Sequence, residues 1–502
     1  MLECGSSDED PVPEDGTMAM GRQPEQRQGD FWIATERLAP APAHPFYQKL
    51  NALLAAAGFD RFCAAAWAKF YAQKLGRPSI PPGVYFRMLL LGYFEKLDSE
   101  REIAWRCADS LALRAFLGYR VDEGTPDHSS LSRTRNRIDL ETHQAVFDWV
   151  LKRLTEQGLL KGQTLGIDAS TLEADAALKS IVRRDNGQSY REFLTELAKA
   201  SGIETPTAEE LAQFDRQRKD KSARNDDWFN PNDPEAKITK LKDGRTHFAY
   251  KNEHAVDLDT GAIVAAEIHL ANEGDTTTMW GTLEKAAESL QEVRDDEQVV
   301  TNCQAHGVAD PSELHIQATV QDKGYHSAQT LVNLEELDIR GYIAEPDRGR
   351  QRWTARATRD MTPAELAQEQ EFKRQAQRAV YRNRRRRRGA HSKRLHRRRG
   401  EYVERTFEHV LDDGGMRRVW LKGREKIAKR YLIHTAAFNL GLILRKLTGY
   451  GTPRGWVDAA RAAALACAGW LRAVVRRCGL CNRLWARSGD ETGRWPESAL
   501  AA

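Results

Sequence analysis

The chain has 502 residues, a formal net charge of +4, and a composition that is 41% hydrophobic and 29% charged. This length predicts about three domains, each long enough to bury a core of its own. The composition excludes a collagen or a small disulfide-stabilised protein. The sequence contains no run of about 18 apolar residues, the length needed to span a membrane, so a membrane protein is not expected. Because the net charge is small, the distribution of charges along the chain is more informative than their sum.

The cysteines are few and scattered, which predicts a reducing, cytoplasmic compartment rather than a disulfide framework. Cys478 and Cys481 form half of a zinc motif, but no downstream pair completes it. Residues 1–30 are polar and poor in aromatic side chains, and we expect them to be a disordered leader. The tail at 451–502, which contains the cysteine pair, has no predicted role.

Residues 31–153 are predicted to form an all-helical domain, because apolar residues recur at helical spacing from Phe46 onward. A turn, a capping Asp or Ser, and a short helix follow each other near its end. Arg133, Asn136 and Arg137 share one side of that helix, where they can reach the phosphates and base edges of DNA. A solvated surface is the alternative interpretation of this side.

The region 160–450 alternates strand and helix patterns, which predicts a mixed α/β domain with a covered sheet. In chain order we expect a short strand that delivers Asp168, a hairpin over 247–270, a helix over 276–293, a strand over 316–320 and a helix over 328–337. A polar insertion over 205–245 is predicted to be a loop.

Three carboxylates lie at the ends or edges of these predicted elements. Asp168 follows a buried strand, Asp322 is in phase with the apolar residues of a second strand, and Glu404 borders a helical apolar stripe. Convergent carboxylates are the ligands that Mg²⁺ or Mn²⁺ prefers, and two such ions support phosphodiester chemistry. The alternatives are a capping role for Asp322 and ordinary surface glutamates, with Glu401 and Glu408 as rivals of Glu404.

Residues 378–399 form a strongly basic segment with twelve Lys or Arg and no Asp or Glu. The segment includes Arg385, Arg387 and Arg399. Because nothing acidic in the segment compensates this charge, it predicts salt-dependent binding to nucleic acid. A localisation signal or an RNA tether is the alternative role. The segment ends shortly before Glu404, so polyanion binding and the predicted metal site would be adjacent.

Together and in this order, the motifs resemble those of bacterial insertion-sequence transposases of the DDE type over roughly residues 30–450. The resemblance is carried by 126–133, 166–171, 250–257 with 260–264, 322–325, Arg399 with Glu404 and Phe407, and 430–440. It implies a ribonuclease-H-like catalytic core behind a helix-turn-helix-like N-terminal domain.

The resemblance also implies a mechanism and a set of partners. Asp168, Asp322 and Glu404 would hold two Mg²⁺ or Mn²⁺ ions, with Asp168 bridging both, and Arg399 and Lys323 would lie near the scissile phosphate. The protein would cleave the ends of its element and transfer them to target DNA by transesterification. The expected partner is double-stranded DNA associated with the cytoplasmic nucleoid, not a membrane, and a homodimer or larger assembly is expected in the complex.

One position departs from the family pattern, since Leu411 occupies a site where relatives often carry a lysine. A catalytically inactive DNA-binding remnant of a transposase, or a nuclease on the same fold, therefore remains as an alternative function.

Overall fold

The computed structural model describes residues 18–19, 44–72, 79–218, 224–241, 244–347, 349, 351–355 and 361–488. The predicted leader at 1–30 lies outside the described residues, except for Met18–Ala19. This pair forms a two-residue strand, β1, that is parallel to β2 (Tyr71–Ala72).

Helices form the N-terminal part of the described chain, as the sequence pattern predicts. They are α1 (Pro45–Ala56), α2 (Phe59–Trp67), α3 (Pro82–Phe94), α4 (Glu100–Asp109), α5 (Leu111–Leu117), α6 (His128–Arg137) and α7 (Leu140–Glu156). The helix α3 is buried along its whole length and is the centre of this group. Asp127 and Asp139 cap α6 and α7 by accepting backbone N–H groups of Ser130 and Thr142 at 2.6 and 2.8 Å.

A long insertion follows the first strand of the central sheet, β3 (Thr164–Glu173). It contains β4 (Val182–Arg183), α8 (Tyr190–Ala200), α9 (Ala208–Gln217) and β5 (Trp228–Phe229). The polar loop predicted over 205–245 is therefore partly helix and strand. Both helices begin with a capping box and bury a small apolar cluster around Leu194 and Leu211. The loop prediction is therefore wrong at α9, where Thr207 and Glu210 form a capping box and Leu211 and Phe214 lie on one apolar side.

The central sheet has six strands of mixed direction. The remaining strands are β6 (Lys237–Lys240), β7 (Thr246–Asp257), β8 (Ile263–Leu270), β9 (Ala318–Gln321) and β10 (Arg340–Ile343). Their order is β10-β9-β3-β7, and β6 and β8 both pair with the other edge of β7. The strands β9 and β10 are parallel to β3, whereas β7 is antiparallel to it. The predicted hairpin over 247–270 is confirmed as β7 and β8.

Helices cover both faces of this sheet. The helices that follow β8 are α10 (Asp275–Arg294), α11 (Glu297–Ala305), α12 (Ala328–Glu336), α13 (Pro363–Arg387), α14 (Ala390–Phe407), α15 (Arg424–Thr448) and α16 (Pro453–Ser488). The helices α10 and α12 pack on one face, and α14 and α15 pack on the other. A π-helical segment, Glu408–Asp413, continues α14. The mixed α/β architecture with a helical N-terminal region is thereby confirmed.

The helix α15 joins the N-terminal helices to the sheet. It packs against α3 and α7 as well as β8, and one continuous apolar core extends through all of them. The buried Lys429 donates to the backbone carbonyl of Arg135 at 3.3 Å, and Arg430 donates to that of Leu97 at 2.6 Å. The helical region and the sheet therefore form one packed body rather than two units with separate cores.

The tail after residue 450 begins with α16. Its side chains up to Trp470 are mostly exposed, including Leu465, and the side chains of Cys478 and Cys481 lie outside the described residues. None of the helices in the described ranges has the length and apolar character needed to cross a bilayer.

Candidate active site

The prediction that a short strand ends at Asp168 is wrong, because β3 stays paired with β7 as far as Glu173. Asp168 therefore lies in the middle of β3, where it is paired in register with His254 of β7. Its side chain is 22% exposed. Gly166, two residues earlier on the same face, lies under α14: a Cβ atom there would be 2.9 Å from Val403 and 3.3 Å from Arg399. Because α14 crosses β3 so closely, the sheet requires a glycine at the crossing, and Asp168 is the next residue on this face.

Asp322 follows the last residue of β9 and lies beside Asp168. The register pairs Gly166 with Val320, so the two aspartates, each two residues farther on, reach the same level and the same face of neighbouring parallel strands. Asp322 Oδ1 accepts the N–H of Gly324 at 2.8 Å and so begins the short turn Lys323–Tyr325. The capping alternative is therefore confirmed, and it is compatible with a place beside Asp168.

Arg399 of α14 neutralises Asp168. Its Nη1 atom lies 2.5 Å from Asp168 Oδ2, and the guanidinium side chain is 15% exposed. Burial raises the pKa of Asp168 and the nearby charge of Asp322 adds to this rise, whereas Arg399 and the N–H of Ala169 oppose it. Since the charge of Asp322 affects Asp168, the two carboxylates are within electrostatic reach of each other.

Glu404 lies on an exposed flank of α14. On the opposite flank, Arg398 and Tyr402 contact the turn between β7 and β8. Glu404 is two residues beyond Tyr402, which is about 200° around the helix. It therefore lies on the flank turned away from that loop, where its side chain is exposed.

The two rivals of Glu404 have other surroundings. Glu401 is paired with Arg405 at 3.1 Å, and Glu408 begins the π-helical segment after α14. Over the ranges that the structure describes, no three His, Cys, Asp or Glu side chains stand close enough together to hold a metal ion. The structure thus brings Asp168 and Asp322 together and leaves Glu404 on a neighbouring helix flank.

The chemistry of this strand end fits a hard cation. Its donors are carboxylate oxygens, which are the ligands that Mg²⁺ and Mn²⁺ prefer. The guanidinium of Arg399 already balances the charge of Asp168, so a metal ion bound by Asp168 would have to take its place. Lys323 is exposed directly after Asp322, where its ammonium group can meet an anion at the same strand end.

The helix α6 presents only part of its predicted DNA-facing side. Arg133 and Asn136 are exposed, as the sequence predicts. Arg137 is half-buried and donates to the backbone carbonyl of Phe70 at 3.5 Å. The other side of α6 is buried, as its apolar spacing predicts.

The basic segment 378–399 occupies the end of α13 and most of α14, joined by a turn at Gly389. Five of its cations form ion pairs with acids of other segments: Arg382 with Glu335 at 2.9 Å, Arg384 with Glu345 at 2.6 Å, Arg386 with Glu335 at 3.9 Å, Arg398 with Asp259 at 2.7 Å, and Arg399 with Asp168 at 2.5 Å. The prediction of an uncompensated charge is therefore wrong, because these acids are distant in sequence. Arg385 is exposed and Arg387 is half-buried.

The sequence reasoning did not identify a second buried carboxylate, Glu253, on the opposite face of the sheet. Its side chain is fully buried and accepts hydrogen bonds from Tyr325 at 2.7 Å, Thr278 at 3.0 Å and Thr282 at 2.6 Å. The strand around it is buried on both faces over 248–257. A charged residue inside such a strand needs partners, and this signal was available in the sequence.

Comparison with known proteins gives one match. Residues 34–137 match the family model described as Transposase domain (DUF772), and this segment ends with the last residue of α6. No curated protein and no solved structure matches the chain. The match supports a transposase family, and with it an interaction with DNA.

Proposed function

We propose that the protein is a DNA transposase of the DDE type, which cuts the ends of its element and joins them to target DNA with the help of divalent cations. One observation carries the proposal: Asp168 and Asp322 lie at the same level of neighbouring parallel strands, beside a helix that contains Glu404 and a row of cations. The transposase-domain match supports the proposal from a separate part of the chain.

We assign the sheet and its helices to a ribonuclease-H-like core. The support is a mixed sheet in which two strands run parallel to β3, the long hairpin runs beside it, and helices cover both faces. Asp168 and Asp322 lie where β9 ends beside the middle of β3. The chemistry would therefore take place on the α14 face of the sheet, between these two inner strands.

Two bound Mg²⁺ or Mn²⁺ ions would activate the attacking oxygen and stabilise the departing 3′-oxygen. Asp168, Asp322 and Glu404 would hold them, with Asp168 in the central position between β9 and α14. Arg399 balances the charge of Asp168 in the free protein. A guanidinium forms paired hydrogen bonds with phosphate, so Arg399 would turn toward the DNA backbone when the strand end is occupied.

The basic helices support DNA binding beside these acids. Lys393, Arg397 and Glu404 follow one flank of α14 at positions i, i+4 and i+11, so phosphates bound along this flank lead to Glu404. Arg385 and Arg388 are exposed and extend the positive surface to the end of α13. Salt-dependent binding to duplex DNA follows from such a surface.

Recognition of the element ends is assigned to the N-terminal helices, with Arg133 on α6 as a contact. Joining two ends in one event requires at least two copies of the chain in the complex. The site of action would be nucleoid DNA in the cytoplasm.

The test is a cleavage assay on a plasmid that carries the coding region with its flanking DNA, in Mg²⁺ or Mn²⁺. We expect nicked ends and joined products from the natural protein. The rates should fall at least about 100-fold in Asp168→Asn and Asp322→Asn, because even groups that only orient a metal ligand cost 10–100-fold when removed. Asp295→Asn, which removes an exposed carboxylate after α10, is the matched control and should cut normally.

Two other results would assign a different function. Duplex binding without any cutting would identify a catalytically inactive DNA-binding protein. Cutting without preference for the element ends and without joining would identify a nuclease on the same fold.

The position of the third carboxylate is tested on the same helix. Glu404→Gln should abolish cleavage and leave duplex binding unchanged, since it removes one ligand charge without altering the basic surface. Glu401→Gln and Glu408→Gln are the controls and should retain cleavage. Loss of cleavage in Glu408→Gln instead would move the assignment to that residue.

A further inference from the structure

The turn that follows Asp322 is anchored on the opposite face of the sheet. This turn, Lys323–Tyr325, donates the N–H of Gly324 to Asp322 Oδ1 at 2.8 Å and so sets the direction of the carboxylate. Tyr325 is only 1% exposed, and its hydroxyl donates to Glu253 Oε1 at 2.7 Å. A single side chain thus connects the turn to the interior.

Glu253 is costly to bury. The cation Lys251 acts on it, and the imidazole of His269 lies 3.8 Å from its Oε2 atom, but burial lowers the pKa of His269 to about 4, so this ring is neutral. The two carboxylate oxygens of Glu253 accept hydrogen bonds from the hydroxyl groups of Thr278 and Thr282 on α10. Burial raises the pKa of Glu253, while these hydrogen bonds, the one from Tyr325 and the charge of Lys251 oppose the rise. A neutral or apolar side chain is often as stable as a buried charge or more so, so stability alone does not account for a carboxylate here.

Asp275, the first residue of α10, lies against the same turn. The buried Lys251 binds Asp275 Oδ1 at 2.6 Å and the Thr278 hydroxyl at 2.8 Å. A Cβ atom on Gly324 would lie 2.4 Å from Asp275 Oδ2 and 3.1 Å from Asp322 Oδ1. Glycine therefore allows the turn to fit closely between these two carboxylates.

We propose that Glu253 is a positioning residue for Asp322, which acts by holding Tyr325 and thereby the turn that orients the Asp322 carboxylate. A carboxylate accepts a shorter and stronger hydrogen bond from a phenol than a neutral amide does, which explains the choice of glutamate. The inference rests on the proposed function, because it gives Asp322 the role of a metal ligand. Glu253 itself lies on the other face of the sheet and touches no reacting group.

The test measures the affinity of the full-length protein for Mn²⁺, together with the cleavage rate as a function of Mn²⁺ concentration. Tyr325→Phe and Glu253→Gln should weaken Mn²⁺ binding 10–100-fold, the cost found when groups that orient a metal ligand are removed. Cleavage should return toward the natural rate at saturating Mn²⁺, and duplex affinity should stay unchanged. A role in folding alone would lower the melting temperature without this metal-dependent recovery.

Glu267→Gln is the matched control. Glu267 faces Glu253 across the pair of β7 and β8, but it is not a partner of Tyr325. The Mn²⁺ affinity of the Glu267→Gln variant should equal that of the natural protein. If Glu253→Gln does not fold, Tyr325→Phe, which removes one hydroxyl and keeps the ring, decides the question.

The results separate this inference from the function on which it rests. If Asp322→Asn lowers Mn²⁺ affinity and a folded Tyr325→Phe does not, Glu253 has no positioning role and the proposed function stands. If the natural protein binds no Mn²⁺ and Asp168→Asn and Asp322→Asn change nothing, the proposed function is wrong and this inference is overturned with it.

Discussion

The two faces of the central sheet each bury a carboxylate, but they neutralise it differently. On the face under α14, Asp168 is 22% exposed and is paired with one arginine, Arg399. On the face under α10, Glu253 is fully buried and accepts hydrogen bonds from three hydroxyl groups of packed residues. An arginine side chain can turn to another anion, whereas packed hydroxyl groups cannot leave. The first carboxylate is therefore able to exchange its partner, and the second is fixed.

The largest expected effect concerns the exchangeable pair. Arg399→Gln should lower the free energy of unfolding by about 1–3 kcal/mol, because it leaves a partly buried carboxylate without its cation. Added Mn²⁺ should restore much of this loss, since a metal ion can take the place of the guanidinium. Denaturant unfolding with and without Mn²⁺ measures both effects.

Arg398→Gln is the neighbouring control. Arg398 pairs with Asp259 at a surface turn, where an ion pair contributes at most about 1 kcal/mol. Its unfolding should change little and should not respond to Mn²⁺. Equal losses and equal Mn²⁺ responses in the two variants would show that the pair of Arg399 and Asp168 behaves as an ordinary surface ion pair and does not exchange its cation for a metal ion.

A smaller effect is expected on the fixed face, where burial raises the pKa of Glu267 to about 7. The folded state then binds more protons than the unfolded state between the ordinary glutamate pKa and this value, so stability falls as pH rises through that range. Glu267→Gln removes the penalty and should stabilise the protein by about 1–2 kcal/mol at pH 8, after allowance for partial exposure. At pH 4 the penalty is absent.

Urea unfolding at the two pH values checks this prediction. Glu284→Gln, which changes an exposed glutamate of α10, is the control and should show no such pH dependence. A stabilisation by Glu267→Gln that is the same at both pH values would mean that its carboxylate ionises normally in the folded protein.

The smallest effect concerns the basic segment, in which some arginines are exposed and others are paired with glutamates. Arg385 and Arg388 are exposed, whereas Arg382 and Arg384 pair with glutamates. Replacing the first two with Gln should lower the slope of log affinity for duplex DNA against log salt by about 2, because two fewer counterions are released. The double Gln variant of the paired arginines should change it less.

Binding of a generic duplex between about 50 and 200 mM salt measures both slopes. Equal reductions in the two double variants would show that DNA displaces the glutamate partners. The basic segment would then be exchangeable along its whole length, like the pair of Asp168 and Arg399.

Local patterns in the sequence predicted the elements that contain the site, and the reason is periodicity. The apolar spacing of the N-terminal helices, the turn between β7 and β8 and the strand before Asp322 are all encoded by neighbouring residues. The placement of Asp322 in phase with its strand could also be predicted. The helices α8 and α9 are also encoded locally, by capping boxes and by apolar residues at helical spacing, but the many polar residues around them led to the prediction of a loop at α9.

The sequence by itself determined the mixed order of helices and strands, the presence of Asp168 and Asp322 on or directly after strands, and the concentration of arginines before Glu404. Only the tertiary structure decided which charges meet. The register of β3 and β9 brings Asp168 beside Asp322, and the crossing of α14 gives Arg399 to Asp168. Hydrogen bonding and ion pairing depend on distances in space, and residues that are far apart in the chain make these contacts only after the sheet and its helices have packed.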